Sequence, residues 1–185
     1  MFRRRSLRRA YRQENRGGFH RQVRQANELL DEGQFAEATQ AFQKLAHDAE
    51  SAYPKRAPYL FMQAGQASTL GGQTKNGVVL FKQGLTILGA QGRFRRMQHA
   101  GERIVADLTS RGLTSEAAEI TTLIKGGMPR QQVLDSAGPA KKPTLPTHCP
   151  SCGAAVRPDE VDWLDDLTAE CSYCGSPVRA ETRKL

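Results

Sequence analysis

No run of apolar residues in this sequence approaches the ~18 that a bilayer-spanning helix needs. Runs such as Val78-Val79-Leu80-Phe81 are short. No apolar segment follows the arginines near the N-terminus, so a secretory leader is not expected, and an intracellular, cytoplasmic protein is. Aromatic residues make up only 6% of the 185 positions, with Trp163 the single tryptophan, and hydrophobic residues only 38%. That composition suits a helical domain with polar tails, and the length allows one ordinary domain plus a small one. Catalytic motifs are missing as well. The stretch GGQTKNG has glycines and Lys75 but does not match GxxxxGK[ST]. It also lies between two helical segments, whereas a phosphate loop follows a strand. His20, His47 and His99 have no acid or nucleophile pattern around them. A non-enzyme is expected.

Acidic residues are almost absent from one end. Residues 1–24 hold nine arginines and one glutamate, a balance of +8, which equals the net charge of the whole chain. The remaining residues hold 18 bases and 18 acids and are neutral. A nucleic-acid-binding domain would carry its charge on a folded face. Here the charge sits on an arm, residues 1–18, ending at Gly17-Gly18. Its candidate polyanion contacts are Arg3, Arg4, Arg5, Arg8, Arg9 and Arg12. Phe2, Leu7, Ala10 and Tyr11 form a thin apolar stripe in the same arm, enough for weak attachment to anionic lipid.

Residues 19–127 read as six helices. Val23, Ala26, Leu29 and Leu30 recur at helical spacing over Arg21–Glu32, and Gly33 stops the run. Helices follow over Phe35–Ala52, Tyr59–Leu70, Thr74–Leu88, Phe94–Arg111 and Ser115–Lys125. Pro54 and Pro58 bracket a loop, and Thr114 or Ser115 is the candidate cap of the last helix. The six helices repeat. Gly33, Gly72 and Gly112 stand 39 and 40 residues apart. Five residues after each comes a small residue (Ala38, Gly77, Ala117), and nine after, Phe42, Phe81 and Thr121. Small residues let two helices approach closely while a large neighbour fills the space beside them.

On these residues the chain resembles the tetratricopeptide repeat family. ANELLDEGQFAEATQAFQKLA carries the pattern best, AGQASTLGGQTKNGVVLFKQGL lacks the aromatic after the turn, and ADLTSRGLTSEAAEI keeps Gly112 and Ala117. The period exceeds the family's ~34 residues, which implies longer loops. The resemblance implies stacked helical hairpins whose groove binds a peptide or partner helix. In family members that clamp a peptide carboxylate, groove-facing polar residues come from the first helix of successive repeats. The matching positions here are Val23, Asn27, Gln63, His99 and Arg103, with Val23 standing where such members have a lysine. Solvated polar residues are the alternative for all of them.

Residues 128–147 are rich in proline and lysine and read as a linker. All four cysteines then fall in HCPSCG and CSYCG, as C-x2-C-x18-C-x2-C, inside the spacing of four-cysteine zinc sites. Two thiolates three residues apart on a tight turn can face one metal, and the following Gly153 or Gly175 lets the chain fold back beneath them. Cys149, Cys152, Cys171 and Cys174 are therefore candidate ligands of one structural Zn2+, with no coordination position left for catalysis. Residues 148–180 resemble a small β zinc ribbon, followed by a tail, 181–185. His148 is a neighbour, and Val156, Trp163, Leu164, Leu167 and Val178 are the candidate apolar cluster. Trp163 is a core residue or a partner contact. Between the two cysteine pairs, six acids face Arg157 alone. That charge argues against nucleic-acid binding by the ribbon, and it makes Asp159–Asp166 a candidate docking site for the arginine arm.

The fold class expected is mainly α, with helical hairpin repeats and a small β ribbon. The function expected is an adaptor that binds protein partners through both modules. The alternatives are nucleic-acid association or membrane-surface attachment through the arm.

Overall fold

The computed structural model describes residues 18–127, 144–158, 160–164 and 167–180. Among them are six helices: α1 (18–31), α2 (Phe35–Ala52), α3 (Ala57–Leu70), α4 (Thr74–Ala90), α5 (Phe94–Ser110) and α6 (Thr114–Gly127). A three-stranded antiparallel sheet follows, β1 (Asp162–Trp163), β2 (Thr168–Glu170) and β3 (Pro177–Arg179), in that spatial order. No described helix is long and apolar enough to cross a membrane. The arm, the segment 128–143 and the tail lie outside the described residues, as do the arm's candidate polyanion contacts and its docking on Asp159–Asp166.

One turn is used four times. Gly33, Gly72, Gly92 and Gly112 have φ of 76°, 79°, 70° and 78°, a left-handed conformation that favours glycine. At each, the glycine N–H bonds the carbonyl three residues back and the next N–H the carbonyl five back, as in Gly33 to Leu30 and Gln34 to Leu29. The residue after the glycine already accepts the first bond of the next helix. This overturns the expected cap of α6: Ala117 N donates to Leu113 O, so the helix starts at Thr114. Only the α2–α3 connection differs. There Pro58 does not bound a loop but sits in the first turn of α3, where a missing N–H costs nothing.

The α3–α4 pair shows why small residues recur. A Cβ on Gly77 would lie 2.9 Å from Gly65 O, and one on Gly84 only 2.6 Å from Pro58 O. The helix backbones therefore nearly touch, and Phe81 lies against Gly65. Phe42, Leu60, Leu85, Leu88, Leu108 and Ile120 form the buried interior, each stabilising the fold by roughly 1.5–3 kcal/mol. α3 is buried on nearly every side, from Ala57 through Gly65. Its neighbours α2 and α4 cover only part of it; the ribbon covers the rest.

In the ribbon, β2 pairs with β1 through Asp162↔Glu170 and Trp163↔Ala169, and with β3 through Ala169↔Val178. The small core holds Val156 and Val178 as expected, but Leu164 and Leu167 are 60% and 52% exposed. Leu145, Val161, Ala169 and Tyr173 take their place. Leu164 follows β1 and Leu167 precedes β2, and both side chains lie outside that core.

Candidate metal centre and its docking face

The two cysteine turns have the same construction. Cys149 N donates to Ala154 O and Gly153 N to Cys149 O; Cys171 N donates to Ser176 O and Gly175 N to Cys171 O. Gly153 and Gly175 have φ of 77° and 74°, which a side chain would strain. The turns bring all four Sγ atoms, each buried, within 4.8 Å of one another. Cys149 Sγ lies 3.8 Å from Cys174 Sγ and Cys152 Sγ 3.9 Å from Cys171 Sγ. A tetrahedral ion with metal–sulfur bonds of about 2.3 Å, the zinc–thiolate length, needs sulfurs about 3.8 Å apart. The donor set thus fits one four-coordinate ion. Hydrogen bonds from the other three cysteines hold the Cys149 thiol well below its ordinary range, while the bond to Cys149 holds Cys152 above it. His148 is exposed and stands apart from the sulfurs, with Nδ1 3.1 Å from Thr147 Oγ1.

The cysteine turns are also the surface by which the ribbon meets the helices. From α1, Arg24 Nε donates to Ser151 O (3.1 Å) and Asn27 Nδ2 to Cys152 O (3.1 Å), both inside the first turn. His20 Nδ1 lies 3.3 Å from Ser176 Oγ beside the second. Arg56, the N-cap of α3, is stacked on Tyr53 (4.8 Å to the ring centre), and its guanidinium covers Gly175. A Cβ on Gly175 would sit 1.5 Å from Arg56 Nη2, so a side chain there would displace the guanidinium from the turn as well as strain its φ. Arg56 Nη2 also reaches Glu170 Oε1 at 3.1 Å.

The acidic segment between the turns lies on α3 and α5. Tyr59 Oη donates to Glu160 O (3.2 Å), and Arg93 Nη2 donates to Tyr59 Oη (2.9 Å). Ser172 Oγ donates to the same Glu160 carbonyl at 2.7 Å. Glu160, only 2% exposed, pairs with Arg103, and Asp162 pairs with Arg96, whose Nη2 also donates to Val161 O (3.1 Å). Burial alone would raise the Asp162 pKa, but the Arg96 hydrogen bond and the charges of Arg96, Arg93 and Lys55 together hold it below the ordinary carboxylate value. The Tyr173 ring meets Tyr59 edge-on at 5.9 Å, its hydroxyl accepts from the Gln63 side-chain amide, and burial pushes its pKa up to about 12.

Among the sequence's candidate partner contacts, Asn27, Gln63 and Arg103 are therefore brought to one face, with Val23 buried beside them. What lies on that face is the chain's own ribbon. His99 points away, about half exposed and 3.8 Å from Glu102. Trp163 is partly buried against the ribbon core, with Nε1 3.4 Å from Pro158 O. Arg24, Arg56, Tyr59, Arg93 and Arg96 were not singled out in the sequence. The available signals were a tyrosine and a glutamine in the otherwise apolar first half of α3, APYLFMQA, and the cluster RFRR.

No family model matches the chain, and no curated protein and no solved structure matches it either.

Proposed function

We propose that the protein is a non-catalytic adaptor: a tetratricopeptide-like helical layer that recognises polypeptide, joined to a ribbon folded around one structural Zn2+. The observation that carries this reading is the face formed by α1, α3 and α5. Asn27, Tyr59, Arg96 and Arg103 hold backbone carbonyls and carboxylates of another folded segment. The side chains involved come from the first helix of each hairpin, the helices that line the groove in the family the sequence resembles. Four protein thiolates complete a zinc tetrahedron, so the ion's role is to fold the ribbon.

Affinity purification of the full chain from its native cell, with and without nuclease, tests the adaptor reading. Protein partners that survive nuclease are expected; retention of nucleic acid alone would replace the reading with association through the arginine arm. Elemental analysis of the purified chain should find one zinc per molecule.

A further inference from the structure

The face on α1, α3 and α5 is polar, basic at its α5 end, and already filled. Its occupant is held in part by groups that the closed cysteine turns put in place. Ser151 O and Cys152 O are carbonyls of the first turn, and Gly175 and Ser176 belong to the second. Tyr173 lies between the ligands Cys171 and Cys174. A ribbon this small has little apolar core, so closing those turns depends on the metal. Docking and metal binding are thereby linked, and whatever loosens one loosens the other.

We propose that the ribbon is a metal-held occupant of a polypeptide-binding face. Loss of the metal releases it and frees Tyr59, Gln63, Arg96 and Arg103 for an external segment carrying two acids one residue apart. The resident segment Glu160-Val161-Asp162 defines that chemistry. Its two carboxylates pair with Arg103 and Arg96, and its carbonyls accept from Tyr59 and Arg96. Once vacated, the face keeps Arg96 and Arg103 without the two carboxylates they now hold, so an acidic segment is favoured over an apolar one. A cleft of about 440 Å³ remains beside the docked ribbon, lined by Asn27, Gln63, Arg103, Arg157, Glu160 and Tyr173. It offers a competing chain a first foothold.

The identity of an outside partner rests on the adaptor reading; the metal-linked release does not. The test uses the full chain, zinc-loaded or stripped with a chelator, and a fluorescent peptide spanning Arg157–Leu164. Anisotropy should show the stripped chain binding about tenfold or more tighter, since the loaded chain is rarely in its open form. The same peptide carrying Glu160→Gln and Asp162→Asn should lose that binding, as should the stripped Arg103→Met chain. The far-UV helix signal should persist on stripping. Equal binding to both forms, binding to neither, or loss of the helix signal on stripping would each overturn the proposal. If the peptide behaves as expected but the cell yields no partner, the adaptor reading alone fails. If partners bind loaded and stripped chains alike, the release alone fails.

Discussion

In the helical layer, Phe42, Leu60, Leu85 and Leu108 are fully buried, and glycines bring helix backbones into contact. In the ribbon, the strands are two or three residues long, and the buried apolar side chains are few, with Tyr173 the largest. One part is held by apolar area and close packing, which need nothing from outside the chain. The other rests on four converged cysteines suited to one metal ion and on polar bonds to its neighbour, and a metal and such bonds can both be withdrawn. Three short strands with so small a core cannot offset the entropy of ordering the chain. The helical layer is thus the platform and the ribbon the conditional part.

Removing the metal separates the two most sharply. Apparent free energies of structural zinc binding are about 10–16 kcal/mol near neutral pH. Chelation, or Cys171→Ser, should collapse the dispersed amide resonances of residues 144–180 while the helical far-UV signal survives. Joint collapse of both would show that the layer depends on the ribbon and would break the contrast.

Breaking the Glu160–Arg103 pair comes next. Arg103→Met leaves a carboxylate that is 2% exposed without its counter-charge, at a cost of about 3–5 kcal/mol if the ribbon stays docked. Undocking relieves that cost by returning Glu160 to water. The variant should therefore keep its helices but bind its metal more weakly, because the linkage runs both ways, while resonances of Tyr59 and Tyr173 shift. Adding Glu160→Met should restore most of the docked spectrum, because the uncompensated charge is then gone.

A change inside the layer tests the other half. Alanine at Gly84 gains helix propensity of about 1 kcal/mol. Its Cβ, however, would lie 2.6 Å from Pro58 O, a backbone atom that cannot swing aside. Overpacking of this kind costs about 1–3 kcal/mol, so the clash prevails. Gly84→Ala should lower the melting temperature of the helices yet leave metal affinity nearly unchanged, since the thiol ligands all lie in the ribbon.

These contrasts follow how much could be read from the residues. Helix α2 runs over Phe35–Ala52 as the periodicity predicts, because an apolar stripe ended by a turn signal is local information. The cysteine pairs were legible for the same reason. Docking was not, because its partners are far apart in the chain, as with His20 and Ser176 or Asn27 and Cys152. The acidic charge between the cysteine pairs was visible, and the nearest conspicuous opposite charge was the arm. The described structure instead pairs Glu160 and Asp162 with α5 and its N-cap Arg93, where Arg96 and Arg103 share the helix with the acids Glu102 and Asp107 and so leave it only a small net charge. Buried Tyr59 and Gln63 were the better clue. A polar residue inside an apolar helix requires a partner, and neither α2 nor α4 supplies a hydrogen bond to the Tyr59 hydroxyl among the described contacts.

The smallest expected effect sharpens where the docking energy lies. The Asp162 pKa is held below its ordinary value of 3.8 by Arg96 and its neighbours. A depressed carboxylate contributes stability that is fully present above the ordinary value and is lost as pH falls through the lower, folded one. Between pH 7 and 5 this pair should therefore change nothing, and any acid release of the ribbon in that range comes from other groups. Asp162 is 42% exposed, so Asp162→Asn should weaken docking by no more than about 1 kcal/mol at neutral pH. Its carboxyl resonance, followed to the pH at which the metal leaves, should stay flat, and in Arg96→Gln it should begin to move at higher pH. A loss from Asp162→Asn as large as that from Arg103→Met would mean that the rim of the face, and not the buried Glu160, holds the ribbon in place.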